Sequence, residues 1–272
     1  MFFSLPSWAV VLIIFGIVGA ATAAGYATGR YLREHEAKLR EPFGVLQAAL
    51  LGVVGLILAF GLTLAVGRYE GRRAATVTEA NAIGTTYLRG QLVGEPARTR
   101  SLELLRRYTD LALQISREVP NSSAMRRTTA AQDVLQRRLW RLAGQATSRA
   151  PLATAPRLYV ESLNATIDAQ EARLSALTNR VPGAVLALEV FGAAAAIGLL
   201  ALHISILGRG LVAMLAAAVL VTLLLLVIFD LDRPTRGLIK VPSTPLASVR
   251  ASMVLPPAAQ APTRPAKGGA QR

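Results

Sequence analysis

The sequence predicts an all-α membrane protein, with four transmembrane helices and a soluble helical bundle inserted between the second and third. Three observations carry this reading. Apolar residues make up 53% of the 272-residue chain, and they are gathered into blocks long enough to cross a bilayer as helices. Between the second and third blocks, residues 67–181 change to apolar positions spaced three and four apart, the period of an amphipathic helix. No Pro separates the second block from the helical pattern that follows, so that helix is expected to leave the membrane and continue.

Composition narrows the function classes. The absence of Cys removes disulfides, thiol nucleophiles and thiolate metal sites. The net charge of +14, from 30 basic and 16 acidic residues, suits anionic lipid headgroups. A nucleic-acid partner is not expected. The Arg residues alternate with acids on amphipathic helices and form no dense run or aromatic-flanked patch.

Residues 1–66 read as a first transmembrane hairpin. Its first block runs from Trp8 to Thr28, and no basic residue precedes it, so it reads as a retained span rather than a cleaved signal. Gly16, Ala20, Ala24 and Thr28 recur every four residues, a small-residue face that another helix can approach. Arg30 to Glu41 read as a charged loop with a solvated His35, closed by Pro42-Phe43-Gly44. The second span, Val45 to Val66, is polar only at Gln47 and Thr63. Its Ala48, Gly52, Gly55 and Ala59 form another small-residue face, readable as helix packing or as a pore wall.

Residues 67–181 read as an extramembrane helical domain continuous with spans two and three. Arg68, Arg72, Thr76, Glu79 and Thr86 fall near one face of its first helix. The two arginines and Glu79 are placed to pair with each other or with neighbouring helices. Asn81 lies off that face, positioned to hydrogen-bond across a bundle. The rival reading is a charged helix surface outside the bilayer.

A helix opening at Glu95-Pro96 buries Leu105, Tyr108, Ala112, Ile115 and Val119, while Glu103 reaches Arg107 on the outer face. Pro120-Asn121-Ser122 ends it. The next helix, Ser123 to Thr147, has the apolar line Thr128, Ala131, Leu135, Leu139 and Leu142. The last, from Arg157, runs into the third span, with Gln170 interrupting its rhythm and fixing register. Asn164, Asp168 and Arg173 are its residues placed to meet other helices.

Residues 182–230 read as the second transmembrane hairpin. Glu189 lies inside the apolar zone, where an ionisable group costs roughly 2.5–3.5 kcal/mol at mid-membrane. It is read either as functional or as a headgroup-level partner of Arg180. His203 reads as interfacial. Leu207-Gly208-Arg209-Gly210 is a tight connection, and the fourth span runs from Leu211 to Phe229. Asp230, Asp232, Arg233 and Arg236 form an ion-pair cluster at its end, within a juxtamembrane segment reaching residue 252. Residues 253–272, rich in Pro and Ala without periodicity, read as disordered. The candidate pore or ion-pair residues are therefore Arg72, Glu79, Asn81, Glu189, Asp230, Asp232 and Arg233.

The runs GRYEGRRAATVTEANAIGTTYLR, YVESLNATIDAQEAR and DLDRPTRGLI together resemble a bestrophin-like family of bacterial integral membrane proteins, over roughly Pro42 to Arg250. The resemblance implies a multi-pass protein of the cytoplasmic membrane, related to the chloride-channel class. It marks Glu79, Asn81, Tyr87, Arg89, Asn164, Asp168, Arg173, Asp232, Arg233 and Pro234 as motif positions without giving them roles.

The functional expectation is an anion channel or related pore, passing chloride or another anion and assembled as a homo-oligomer in the lipid bilayer. One four-span chain has too few helices to enclose a channel. The alternative is a membrane-anchored sensory or scaffold protein whose helical domain binds a ligand or partner. No enzyme and no cofactor are expected: no His pair, phosphate-cradling Gly loop or Ser–His–Asp set is present. Basic residues flank the spans on both sides, so the positive-inside rule leaves orientation open.

Overall fold

The computed structural model describes residues 6–35, 40–208 and 210–259. Its regular elements are all α-helical: α1 (Ser7–His35), α2 (Arg40–Gly90), α3 (Ala97–Ile115), α4 (Ser123–Arg149), α5 (Thr154–Thr178), α6 (Gly183–Leu207), α7 (Leu211–Leu231) and α8 (Thr244–Ser252). Four helical stretches are long and apolar enough to cross a membrane: Trp8–Arg33, Gly44–Gly90, Thr154–Leu207 and Leu211–Leu231. The chain divides into two compact units, one of Met1–Arg72 with Ala176–Val241, the other of Arg73–Ser175 with Pro242–Arg272.

In the first unit α1 packs on α6 and α7. Val10, Ile14 and Val18, four apart, are buried with Leu186, Val190, Ala193, Ile197 and Leu225. The α1–α6 crossing is close because neither Gly25 nor Gly198 has a side chain: a Cβ on Gly25 would collide with the carbonyl oxygen of Gly198. This corrects the expected contact face. Gly16, Ala20, Ala24 and Thr28 are exposed, and α1 approaches α6 through Ala21, Gly25 and Gly29 instead. Spacing alone shows two small-residue faces on this helix, one turn-step apart, and cannot rank them.

The expected loop from Arg30 begins later. Arg30 to His35 continue α1, since none of Arg30, Tyr31, Leu32, Arg33 or Glu34 breaks a helix. Residues 36–39 lie outside the described residues. Between α6 and α7 the chain turns through two left-handed residues, Gly208 at φ 71° and Gly210 at φ 99°, a conformation that glycine adopts without a Cβ clash. Arg209 lies outside the described residues.

α2 runs unbroken for 51 residues. The helix expected to run from Arg157 into the third span is interrupted. Helical geometry lapses over 179–182, separating α5 from α6. Pro182 supplies the reason, because it lacks an N–H and its ring turns Val181 away from helical geometry.

The second unit gathers the C-terminal part of α2 with α3, α4, most of α5 and α8 around one core. Ile83, Tyr87, Leu105, Tyr108, Ala112, Leu139, Tyr159 and Leu163 are buried there. Ser122 caps α4, its hydroxyl accepting from Met125 N–H at 3.1 Å. On α4 the buried line includes Gln132 in place of the expected Ala131, which is exposed. The glutamine is satisfied inside: its amide donates to the Tyr108 carbonyl at 3.4 Å and its oxygen accepts from Gln170 at 3.0 Å. Gln136 in turn donates to Gln170 at 2.8 Å. A polar ladder thus sets the register of α3, α4 and α5.

Helix α8 seals this unit. Leu246 and Met253 are fully buried. The Met253 carbonyl accepts from the Tyr87 hydroxyl and from Arg106 Nε, each at 3.1 Å, and the Arg106 guanidinium lies 5.7 Å from the Tyr87 ring centre. Met253 is the first residue of the tail read as disordered; residues 260–272 lie outside the described residues.

Candidate functional site

The candidate residues fall into separate groups. In the first unit Arg72 is buried at the point where α5 and α7 end. Its Nη1 donates to the Leu231 carbonyl at 2.9 Å and its Nη2 to the Asn179 carbonyl at 2.8 Å. Its Nε reaches the Ala176 carbonyl at 3.3 Å. Helix C-termini leave carbonyls without intrahelical partners and carry partial negative charge, so one guanidinium fork satisfies two helix ends at once.

Asp232 Oδ1 sits 3.4 Å from Arg72 Nη2 and accepts the Val181 N–H at 3.1 Å. Burial pushes the Asp232 carboxyl above its ordinary pKa. The Val181 N–H and Arg72 pull the other way without overcoming it.

Asp230 accepts the backbone N–H groups of Leu238 and Ile239, both at 2.8 Å, and so folds the chain after α7 back on itself. Arg233 is buried beside it, with Asp230 as its nearest opposing charge. The DLDRPTRGLI run is thus two acids with different jobs. One acid holds a loop, and the other completes the Arg72 node.

Glu189 is 1% exposed on α6, and both its carboxylate oxygens lack a hydrogen-bond partner among the described residues. It occupies the notch left by Gly61 of α2, where any Cβ would collide with Glu189 Oε1. The expected pairing with Arg180 is not made. Arg180 instead takes Asp232 as its opposing charge.

In the second unit Glu79 Oε2 accepts from Arg173 Nη1 at 2.6 Å, with both side chains buried. Arg173 Nη2 also donates to the Ala112 carbonyl at 3.1 Å and to the Ser116 hydroxyl at 2.6 Å. This ties α2, α3 and α5 together. Arg72 and Glu79, though on one helix, therefore pair with different partners rather than with each other. Asn81 is exposed. Asn164 and Asp168 are exposed too, and Asn164 donates to Asp168 along its own helix at 3.3 Å.

Thr86, placed by its spacing on the polar face of α2, and Gly61, which has no signal in the sequence, also contribute. Thr86 donates to the Ser162 carbonyl and shares a 2.7 Å contact with the Thr166 hydroxyl. Gly61 belongs to no small-residue repeat of the second span, and its importance shows only when Glu189 is seen filling its notch.

The small-residue face of α2 stands apart from these nodes. Ala48, Gly52, Gly55 and Ala59 are all exposed, and a Cβ added at Gly52 or Gly55 would meet nothing within 4 Å. Among the described residues of the first unit, no packing uses this face.

Two solved structures share the fold. One is a crystal structure of a membrane protein carrying a proline-to-alanine substitution; it is 13% identical with a TM-score of 0.66, and the match covers 89% of this chain and 97% of that one. The other is a bacterial bestrophin homologue from Klebsiella pneumoniae carrying a tyrosine-to-alanine substitution. It is 14% identical with a TM-score of 0.66, covering 90% of this chain and 97% of that one. No curated protein matches the chain. The bestrophin-like domain matches residues 10–246, and with that span the chain belongs to the bestrophin-like domain family.

Proposed function

We propose that this protein forms a homo-oligomeric anion channel in the membrane, with the Ala48–Ala59 face of α2 lining the passage. The observation that carries the reading is that face itself. A helix long and apolar enough to cross the membrane leaves Ala48, Gly52, Gly55 and Ala59 exposed, and a Cβ at Gly52 or Gly55 meets no neighbour among the described residues. Small residues on an unpacked face leave width for an ion, and copies arranged around an axis would enclose it. Family membership supports the same reading, as does the fold shared with a bestrophin homologue.

In this reading residues 67–181 form a water-exposed helical domain, and the Arg72–Asp232 and Glu79–Arg173 pairs are braces that hold the helices in place rather than points of ion contact. The arginine excess attracts anions to the entrance.

The test is chloride flux through purified protein in liposomes. Wild type should pass chloride above the protein-free background. Gly55→Trp should abolish flux while leaving thermal stability unchanged, since Gly55 is exposed and a Cβ added there meets nothing within 4 Å. Flux that persists undiminished in Gly55→Trp removes α2 as the wall, and no flux in any oligomeric state removes the channel.

A further inference from the structure

Helices α3 and α4 carry the same pattern twice. On α3 the positions Arg100, Glu103, Leu104 and Arg107 follow i, i+3, i+4, i+7; on α4 Arg138, Arg141, Leu142 and Gln145 do the same. Such spacing puts each set on one helix face. The helices form an antiparallel pair joined by a short turn, with Gln132 of α4 reaching Tyr108 of α3 and Arg149 reaching the Glu95 carbonyl. The two sets therefore lie opposite each other in reversed order, and they line a cleft of about 320 Å³.

Four guanidiniums and one carboxylate face this cleft. The carboxylate, Glu103, is already engaged by Arg107 at 2.6 Å. The guanidiniums of Arg100, Arg138 and Arg141 have no ion-pair or hydrogen-bond partner among the described residues. Some arginines of the same unit are matched, Arg98 with Glu95, Arg89 with Glu161 and Arg250 with Asp110, and what sets the cleft apart is that its unpaired arginines converge on one concavity. Arg100, Arg107, Arg138 and Arg141 are exposed to solvent, and like charges gathered without a counter-charge repel one another, a repulsion that an anion in the cleft would relieve.

We infer that the α3–α4 cleft is a binding site for a multiply charged, phosphate-bearing ligand. Guanidinium forks match the paired oxygens of a phosphate, which accepts two parallel N–H bonds from each. A chloride ion offers one point of contact and would leave most of the volume and two or more forks unused. Leu104 and Leu142, set among the charges, add an apolar wall for the organic part of the ligand. The site lies within the second unit and does not depend on ion conduction.

The same chemistry has two sources, a soluble polyphosphate and a phospholipid headgroup. The test uses the full-length protein in neutral detergent, with inorganic pyrophosphate and glycerophosphoglycerol, a lipid headgroup without chains, as separate probes. Binding by calorimetry and the shift in Tm are read at low and high salt. The double variant Arg138→Gln/Arg141→Gln removes two forks, and Arg137→Gln removes one exposed charge from the same helix outside the cleft.

At least one probe should bind and raise Tm, more weakly as salt rises. The double variant should lose about 10-fold or more in affinity, against less than about 2-fold for Arg137→Gln. It should also be at least as stable as wild type without ligand, because repulsion is relieved. Binding by pyrophosphate identifies a soluble ligand, and binding by glycerophosphoglycerol alone identifies a headgroup. Failure of both probes, or equal losses in the double variant and Arg137→Gln, overturns the inference. A negative chloride-flux result would leave it standing.

Discussion

At the residue scale, the buried charges differ in how completely they are answered. Arg173 and Glu79 answer each other, so removing one partner strands the other. Arg173→Met should cost about 3–5 kcal/mol, read as a fall in Tm, while Glu79→Gln/Arg173→Met together should recover part of the loss. Glu189 has no partner to strand. Glu189→Gln should therefore change stability little, whereas Gly61→Ala, which pushes a methyl into its carboxyl, should cost about 1–3 kcal/mol. That cost should vanish in a Glu189→Ala background, as a double-mutant cycle would show. Asp232 gives a pH dependence with a definite sign. Its pKa is raised on folding, so the folded state holds the proton more readily than the unfolded chain. Its stabilising contribution is full below the unfolded value of about 3.9 and is lost as pH rises through the folded value. The Tm difference, wild type minus Asp232→Asn, should grow as pH is lowered from about 7.5 to about 5. A difference that shrinks on acidification would show that Arg72 outweighs burial.

At the element scale, helix existence is legible because a three–four rhythm or a long apolar block is local information. Choice of partner is not local. Arg72 and Glu79 stand seven apart on one helix and look like members of a single charged face. Their partners, Asp232 and Arg173, lie far along the chain, and no spacing rule connects them. The small-residue faces show the same limit. Gly16 and Gly25 both sit in plausible stripes of α1, but only the second meets α6. Gly25→Leu should therefore disrupt the first unit and lower Tm, while Gly16→Leu should leave a single chain intact. Thermal melting of both variants in detergent checks this, and equal destabilisation would contradict the crossing described. Pro182 marks the interruption at 179–182, but the residue type alone does not distinguish a kinked helix from one whose geometry lapses for four residues.

At the scale of the whole molecule, the alternation of blocks along the chain was enough to anticipate an all-helical membrane protein, and three short motifs were enough to place it near its family. What they could not reveal is that α8 completes the core begun in the middle of the chain, since Leu246 and Val249 of α8 and Met253 just after it are the buried or half-buried apolar positions it brings. That feature bears on biogenesis. The ribosome makes residues 73–175 first, then the sequence of α6 and α7, and only afterwards the residues that fill the space beside Tyr87 and Thr109. Until residues 242–259 emerge, the nascent middle segment has an open side and Arg106 and Tyr87 have no Met253 carbonyl to bind, so it is exposed to proteases and holdase chaperones in that interval. A chain stopped after Val241 should still enter the membrane but be cleaved within 73–175 under limited proteolysis that leaves the full-length protein intact. Supplying residues 242–259 as a separate peptide should restore resistance.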